Sequence, residues 1–216
     1  MQRPPRLIIA MLGLLLFSSA AAEELDRRPK DDPRTNSAIR ELVRCGAVVK
    51  RFTVLESETA GLLVRLKAEH LDCDGAIDSD VLTTLRPLRE LSLELRGLPL
   101  SDEGLKRLLE TVPLVGLDVS GSEISDRGLS VLVATRTRLR LLDLSFTRIG
   151  DAGLKSVAEL PELRHLSLID SQVTDSGVDS LTRLKHLREI YLAKTAVSAQ
   201  GAEKLSGQFP MCRIER

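Results

Sequence analysis

Leucine recurs along the second half of the chain at a regular interval and in a fixed local pattern. The phrase LxxLxL, with Val119 or Ile190 replacing one leucine in two units, begins at five positions, at intervals of 26, 25, 24 and 24 residues: Leu88, Leu114, Leu139, Leu163 and Leu187. Its fourth and sixth residues are two apart, which is the side-chain period of a β-strand. A short strand is therefore predicted at each position, with the fourth and sixth residues facing the core.

The second half of each unit changes to an apolar spacing of three to four residues, which is typical of a helix with one buried face. Hydroxyl residues stand where each helix would begin and can cap its free amide hydrogens, and the acidic residues after them suit the positive helix end. These caps are Ser101, Ser125, Thr174 and Ser198, with Gly150 in the remaining unit. Each unit is thus predicted to contain a strand, a turn, a helix and a return.

Two further columns of small residues accompany the leucines. Glycine recurs inside the predicted helices, at Gly104, Gly128, Gly153, Gly177 and Gly201. Glycine in a helix costs roughly 1 kcal/mol relative to alanine, so its recurrence indicates that a side chain there would collide with the neighbouring unit. Hydroxyl residues recur at the ninth position, at Ser122, Thr147, Ser171 and Thr195, where we expect them to hydrogen-bond the turn backbone.

One unit alone cannot cover its apolar side, whereas stacked units share a continuous core. The repeated segment, LRLLDLSFTRIGDAGLKSVAEL at 139–160, resembles the leucine-rich-repeat family, especially its short exported bacterial members. The repeats are also similar to those of F-box adaptors. The resemblance covers 88–216 clearly and 63–87 weakly. It implies an α/β solenoid, a horseshoe with a parallel sheet on its concave side and helices on its convex side.

The amino-terminal residues follow another pattern. Arg3 and Arg6 precede an apolar run at 7–17, and an Ala-x-Ala sequence follows, which predicts a secretory signal peptide over residues 1–22. The run is shorter than the ~20 apolar residues that span a bilayer. We therefore expect a periplasmic or secreted mature chain without a membrane span, although retention of the segment as an anchor stays open. The charged residues 23–37 are predicted to be a flexible leader.

Both ends of the repeat array are predicted to be capped, as solenoids require for solubility. Residues 38–62 read as an amino-terminal cap, consisting of an amphipathic helix and a hairpin strand. Residues 63–208 read as leucine-rich repeats, the first of them degenerate, and residues 209–216 as one more short strand.

Composition narrows the range of functions. Aromatic residues make up 2% of the 216 residues, so stacking surfaces for bases or sugars are nearly absent. Basic and acidic residues number 31 each, so no overall field attracts nucleic acid. Cys45 and Cys73 either pair with each other or are small buried residues, and Cys212 is predicted to lie too far from both for a disulfide.

The third, fifth and seventh residues of each unit are predicted to face away from the core. They form a mixed, mildly acidic surface with an apolar spot, which we expect to bind a protein partner. The candidate partner-binding residues are Glu90, Asp118, Leu141, Asp143, His165, Ser167, Ile169, Glu189 and Tyr191. The single tyrosine is expected to be exposed near one end and to act as an anchor.

Asp143, His165 and Ser167 lie close together in this pattern and suggest a hydrolase. Side chains two apart on a strand project side by side, however, and no pocket or oxyanion hole is indicated. A metal site needs tighter convergence, so no metal or cofactor is predicted. We therefore expect a non-enzymatic, monomeric module that holds a protein partner and no nucleic acid.

Two alternatives to this function stay open. One is a structural or self-associating component of the cell envelope. The other, implied by the resemblance to F-box adaptors, is substrate recognition in protein degradation, although the chain contains no F-box segment.

Overall fold

The computed structural model describes residues 33–53, 60–135 and 137–216 of the chain. The predicted signal peptide, and the leader as far as residue 32, lie outside this part.

Strands and helices alternate along the described residues. The strands are β1 Val48–Thr53, β2 Ala60–Arg65, β3 Leu91–Glu94, β4 Leu114–Asp118, β5 Leu141–Asp143, β6 His165–Ser167, β7 Glu189–Tyr191 and β8 Arg213–Glu215. The α-helices are α1 Pro33–Arg44, α2 Ser79–Leu85, α3 Asp102–Thr111, α4 Asp126–Leu129, α5 Val131–Thr135, α6 Asp151–Val157, α7 Asp175–Val178 and α8 Ala199–Gln208. Short 3-10 helices span Ala68–His70 and Asp179–Arg183.

All eight strands join one sheet, in their order along the chain. β1 and β2 are antiparallel, and every later pair is parallel. From α3 onward, the helices that connect the parallel strands contact one another in turn, because each crossover returns the chain to the next position in the sheet. The predicted fold class, an α/β solenoid with a parallel sheet and a layer of helices, is confirmed.

The core between sheet and helices is aliphatic. In the third unit, Leu142 and Leu144 from the strand phrase are 1% and 0% exposed, and Leu154 and Val157 from the helix are both 0% exposed. Burying one such side chain contributes about 1.5–3 kcal/mol. The expectation that the fourth and sixth residues face inward is therefore confirmed, and the same packing repeats from unit to unit.

The starts of successive helices are linked by aspartate side chains. Asp151, the first residue of α6, accepts hydrogen bonds from the Thr174 backbone amide at 2.8 Å and the Thr174 hydroxyl at 2.7 Å. Thr174 is the N-cap of the next helix. Asp175 binds Ser198 by the same two groups, both at 2.7 Å. The bonds from Ser198 hold the pKa of Asp175 below its ordinary value, because they stabilise the charged carboxylate.

Two earlier aspartates complete this aspartate column, which consists of Asp102, Asp126, Asp151 and Asp175. Asp102 accepts from the backbone amide of Ser125 at 2.8 Å and from its hydroxyl at 2.6 Å. Asp126 accepts only the backbone amide of Gly150, at 2.8 Å, since glycine has no hydroxyl to donate. Each carboxylate therefore fixes the N-cap of the following unit.

The glycine column makes room for these carboxylates. A Cβ on Gly128, Gly153, Gly177 or Gly201 would lie less than 3.0 Å from the Oδ1 of the preceding unit's aspartate. At Gly104 it would strike the backbone of Gly75 instead. The predicted packing role of the glycines is confirmed.

The predicted caps are confirmed at three of four hydroxyl residues. Ser101 and Ser198 each accept a hydrogen bond from the backbone amide of the column glycine, at 3.1 and 3.0 Å. Thr174 accepts from the Ser176 amide at 3.2 Å. Ser125 accepts no such bond, and its hydroxyl donates to the aspartate column instead.

The ninth-position hydroxyls divide by residue type. Thr147 and Thr195 each donate to the carbonyl three residues earlier, both at 2.6 Å. The hydroxyls of Ser122 and Ser171 are buried without a hydrogen-bond partner among the described residues. The expected bond to the turn backbone is therefore present for the threonines and wrong for the serines.

The register of the first unit differs from the prediction. Counting from the first leucine placed Glu90 in the third position, but Ser92 pairs with Gly116 there, next to a bulge between Leu91 and Ser92. Leu95, 0% exposed, then takes the sixth position. The two extra residues of the 26-residue interval are absorbed before β3, where Glu90 adopts a φ of 47°.

The amino-terminal cap begins earlier than predicted. α1 starts at Pro33, which was assigned to the leader, because the fixed φ of proline suits the first position of a helix. β1 and β2 form the expected antiparallel hairpin. β2 also pairs in parallel with β3, so one strand both closes the hairpin and begins the repeat sheet.

The three cysteines are free. Cys45 and Cys73 are exposed, so the interpretation of both as buried residues is wrong, and the structure does not pair them. Cys212 is partly buried against the core, and this burial raises the pKa of its thiol to about 11.

Candidate functional site

The sheet face opposite the helices, which we call the concave face, carries its side chains in columns. Strand pairing defines a first column of Leu63, Ser92, Gly116, Leu141, His165, Glu189 and Arg213. The second column is Arg65, Glu94, Asp118, Asp143, Ser167, Tyr191 and Glu215. Two residues further on, the third column holds Arg96, Ser120, Ser145, Ile169 and Ala193. Neighbouring strands lie about 4.8 Å apart, so the columns form one surface.

Two buried aspartates lie side by side at the centre of this face. Asp118 and Asp143 are paired across β4 and β5, and each is 2% exposed. The Oδ1 of each accepts the backbone amide two residues later, Ser120 or Ser145, at 2.9 Å. Each carboxylate thus stabilises the turn that ends its own strand.

The Arg96 guanidinium lies near both aspartates. It is 3.5 Å from the Oδ2 of Asp118 and 4.0 Å from that of Asp143. Burial, reinforced by the charge of Asp118, raises the pKa of Asp143 to about 7. The two Ser145 hydrogen bonds and Arg96 oppose this rise without cancelling it. A pKa of about 7 means that the Asp143 carboxyl changes its protonation state near neutral pH.

A second polar group lies nearer the carboxyl-terminal end of the sheet. Glu189 Oε2 accepts the hydroxyl of Tyr191 at 3.2 Å and lies 3.3 Å from the Nδ1 of His165. The side chains of His165 and Glu189 are each 26% exposed. Burial and the nearby Glu189 charge raise the pKa of Tyr191 to about 12. The phenol therefore stays a hydrogen-bond donor across the physiological range.

The candidate residues differ in how far a partner can reach them. Leu141, His165 and Glu189 are half-buried and share the first column. Five others are 2–6% exposed: Asp118, Asp143, Ser167, Ile169 and Tyr191. The expectation of an exposed Tyr191 is wrong, because the residue is 5% exposed and its hydroxyl donates to Glu189. Whether the nine residues bind a partner stays a prediction.

Glu90 lies apart from the other candidates. Its carboxylate pairs with Arg140 at 3.2 Å and lines a cavity of about 450 Å³. This cavity lies where α3 returns to β4 and is also lined by Arg89, Glu110 and Thr137. The register difference in the first unit explains the displacement.

The three residues that suggested a hydrolase have other partners. The Ser167 hydroxyl hydrogen-bonds the Ser145 hydroxyl at 2.7 Å, and His165 faces Glu189. Asp143 binds the Ser145 amide. A nucleophile needs a hydrogen bond to its base and an orienting group behind that base, whereas Ser167 contacts Ser145 and His165 contacts Glu189.

Sequence reasoning missed two arginines on this face. Arg65 donates to Glu94 at 2.5 Å, and Arg96 approaches the aspartate pair. The unbroken alternation of Leu91, Leu93 and Leu95 was the signal that would have placed Glu94 and Arg96 in the second and third columns.

The described residues contain neither a metal-binding group of side chains nor a membrane-spanning helix. Residues 33–53, 60–135 and 137–216 hold no group of three His, Cys, Asp or Glu side chains placed to bind a metal ion. In the same part of the chain, no helix combines the length and apolar character needed to cross a bilayer.

The geometry defines a solenoid repeat protein, in which a parallel sheet presents side-chain columns opposite a helical layer. Residues 114–133 and 137–158 match a family model described as Leucine Rich repeat. The resemblance to leucine-rich repeats is thereby confirmed over these two units. Leucine-rich repeats are generally protein-interaction modules.

One solved structure, a leucine-rich-repeat protein of Leptospira interrogans, is similar at 20% identity and a TM-score of 0.41. The similarity covers 65% of this chain and 34% of that one. This chain therefore spans about a third of that protein's length. A search of curated proteins found no match.

Proposed function

We propose that the chain is a non-enzymatic module that holds a protein partner on its concave face, outside the cytoplasm. The general role of leucine-rich repeats supports protein binding. The five parallel units give the face the continuous width that a standard interface of about 800 Å² per partner requires.

One observation carries the proposal: a half-exposed group on three adjacent strands, consisting of Leu141, His165 and Glu189. Leu141 supplies an apolar contact at one end of this row, and His165 and Glu189 continue it with polar groups, the mixture found in known interfaces. Glu189 is already held by Tyr191 and His165. Side chains fixed before binding lose less conformational entropy on association, so this group is suited to contact a partner.

The position outside the cytoplasm rests on the signal-peptide pattern of residues 1–22. Amino-terminal sequencing of the protein purified from its own cells tests it. We expect the mature chain to begin at Glu23. A chain that retains Met1 would favour the anchor, and a chain found in the cytoplasm would contradict export.

Binding is tested by capturing a partner with immobilised protein, identifying it by cross-linking and measuring its affinity. Leu141→Arg replaces the apolar contact of the row by a charge, so we expect affinity to fall at least about tenfold, as for an important interface residue. The matched control is Val133→Arg on α5, since Val133 is 52% exposed on the helical side. Equal losses in both variants, or in neither, would contradict binding by the concave face.

A further inference from the structure

The last strand of the sheet has one open edge. β8 pairs with β7, and no second partner strand lies among the described residues. The Arg213 amide donates to the Arg188 carbonyl, and the Leu192 amide donates to the Glu215 carbonyl. Because successive residues of a strand point their backbone groups to opposite sides, the amide and carbonyl of Ile214 face the open edge. Such an edge can pair with another strand.

The sequence of β8, Arg213-Ile214-Glu215, is complementary to itself when read antiparallel. A two-fold axis at Ile214 sets Arg213 of one copy opposite Glu215 of the other, and the reverse pair follows by symmetry. The Ile214 residues then exchange two backbone hydrogen bonds, which is the hydrogen-bonded pair of an antiparallel ladder. Within one copy Arg213 and Glu215 already form an ion pair, so their side chains share the concave side.

We propose that two copies of this chain associate through antiparallel pairing of their β8 strands. A two-fold axis normal to the sheet keeps both concave faces on one side, so the dimer presents them as a continuous surface. A three-residue strand buries less than the roughly 1,200 Å² of stable interfaces, so the dimer is weak and concentration-dependent. This replaces the expectation of a monomer.

Sedimentation velocity of the full chain, under reducing conditions and from micromolar to millimolar concentration, tests the proposal. The wild type should show a dimer fraction that rises with concentration. Arg213→Glu places like charges opposite each other at two positions, and we expect it to raise the dissociation constant about tenfold or more. Glu215→Arg should act alike, and the double exchange Arg213→Glu with Glu215→Arg should restore dimerisation.

Two further variants separate assembly from folding. Lys106→Glu makes the same charge change at an exposed i,i+3 pair on α3 and should leave the dimer unchanged. Ile214→Pro removes the amide that faces the open edge but keeps the bonds of Arg213 and Glu215 to β7. It should therefore abolish the dimer while the circular dichroism spectrum stays that of the folded wild type. A monomer at every concentration, or a dimer insensitive to Arg213→Glu, would overturn the proposal.

Discussion

The aspartate column and the concave face come from the same repeat and follow opposite rules. At the helix starts, four units carry aspartate at the same position, and each binds the next N-cap with bonds of 2.6–2.8 Å. On the concave face, the second column changes from Glu94 through Asp118 and Asp143 to Ser167 and Tyr191. The aspartate column repeats the same side chain and the same hydrogen bonds, whereas the concave face repeats only the pairing of its strands.

This difference separates the residues that build the solenoid from those that can vary. A stacked repeat is stabilised by contacts with its neighbours, so a contact that fixes the next unit must recur in every unit. The side chains of the concave face do not have to recur in this way. They even include the buried Asp143, whose burial opposes its ionisation. Substitutions in the aspartate column should therefore destabilise the protein, whereas substitutions on the concave face can stabilise it.

The largest effect is expected from Asp143→Asn. The folded-state pKa of Asp143 is about 7, against 3.8 for the ordinary group, so the folded state binds the proton more tightly. The stability of the wild type attributable to this group is therefore full below pH 4 and falls as the pH rises to about 7. Above pH 7 the variant should be more stable by up to about 4 kcal/mol.

Urea unfolding of both proteins from pH 4 to 8 provides the measurement. The two curves should converge near pH 4, where the wild-type carboxyl is protonated, and the asparagine can still accept the Ser145 amide. A variant less stable than the wild type at pH 8 would mean that ionised Asp143 stabilises the fold.

Gly177→Ala in the glycine column should destabilise the protein by about 3 kcal/mol, since overpacking and a displaced buried hydrogen bond each cost about 1–3 kcal/mol. Its Cβ would collide with the carboxylate of Asp151. The free energy of unfolding in urea measures the loss.

The matched control is Gly207→Ala in α8, where a Cβ would meet nothing within 4 Å. Alanine is the better helix former, so this variant should be equally stable or more stable by up to about 1 kcal/mol. Similar losses at both glycines would show that helix geometry, rather than the carboxylate, requires glycine.

A smaller effect is expected at the ninth position. Thr147→Val removes the hydroxyl that donates to the Leu144 carbonyl at 2.6 Å and should cost about 1 kcal/mol by thermal unfolding. Ser122→Ala removes a buried hydroxyl without a partner and should change stability by less than about 0.5 kcal/mol. A larger loss at Ser122 would indicate that its hydroxyl is bonded in solution.

The sequence predicted the solenoid because the leucine period, the helix caps and the glycines all indicate one unit of about two dozen residues. It missed the register of the first unit, since Leu88, Leu91, Leu93 and Leu95 satisfy the strand pattern in two alignments. The acidic residues after the caps were visible and were attributed to the helix dipole. Their bonds to the next unit appear only when the units are stacked.

The sequence predicted which residues lie on the concave face, but not how deeply their side chains are buried. Period-two alternation places Asp143 and Tyr191 on that face. Whether they are accessible depends on the side chains of adjacent strands, which lie 24 or more residues away in sequence, as Ser167 does from Asp143. Those cross-strand neighbours also determine the pKa of Asp143, so neither property follows from one unit alone.

The central claim is that glycine is required at four positions because an aspartate of the preceding unit occupies the space: Gly128, Gly153, Gly177 and Gly201. A double-mutant cycle on Asp151 and Gly177 tests it most directly, by urea unfolding of the wild type, both single variants and Asp151→Ala/Gly177→Ala. With the carboxylate removed, the cost of Gly177→Ala should fall from about 3 kcal/mol to below about 1 kcal/mol. An equal cost in both backgrounds would contradict the claim.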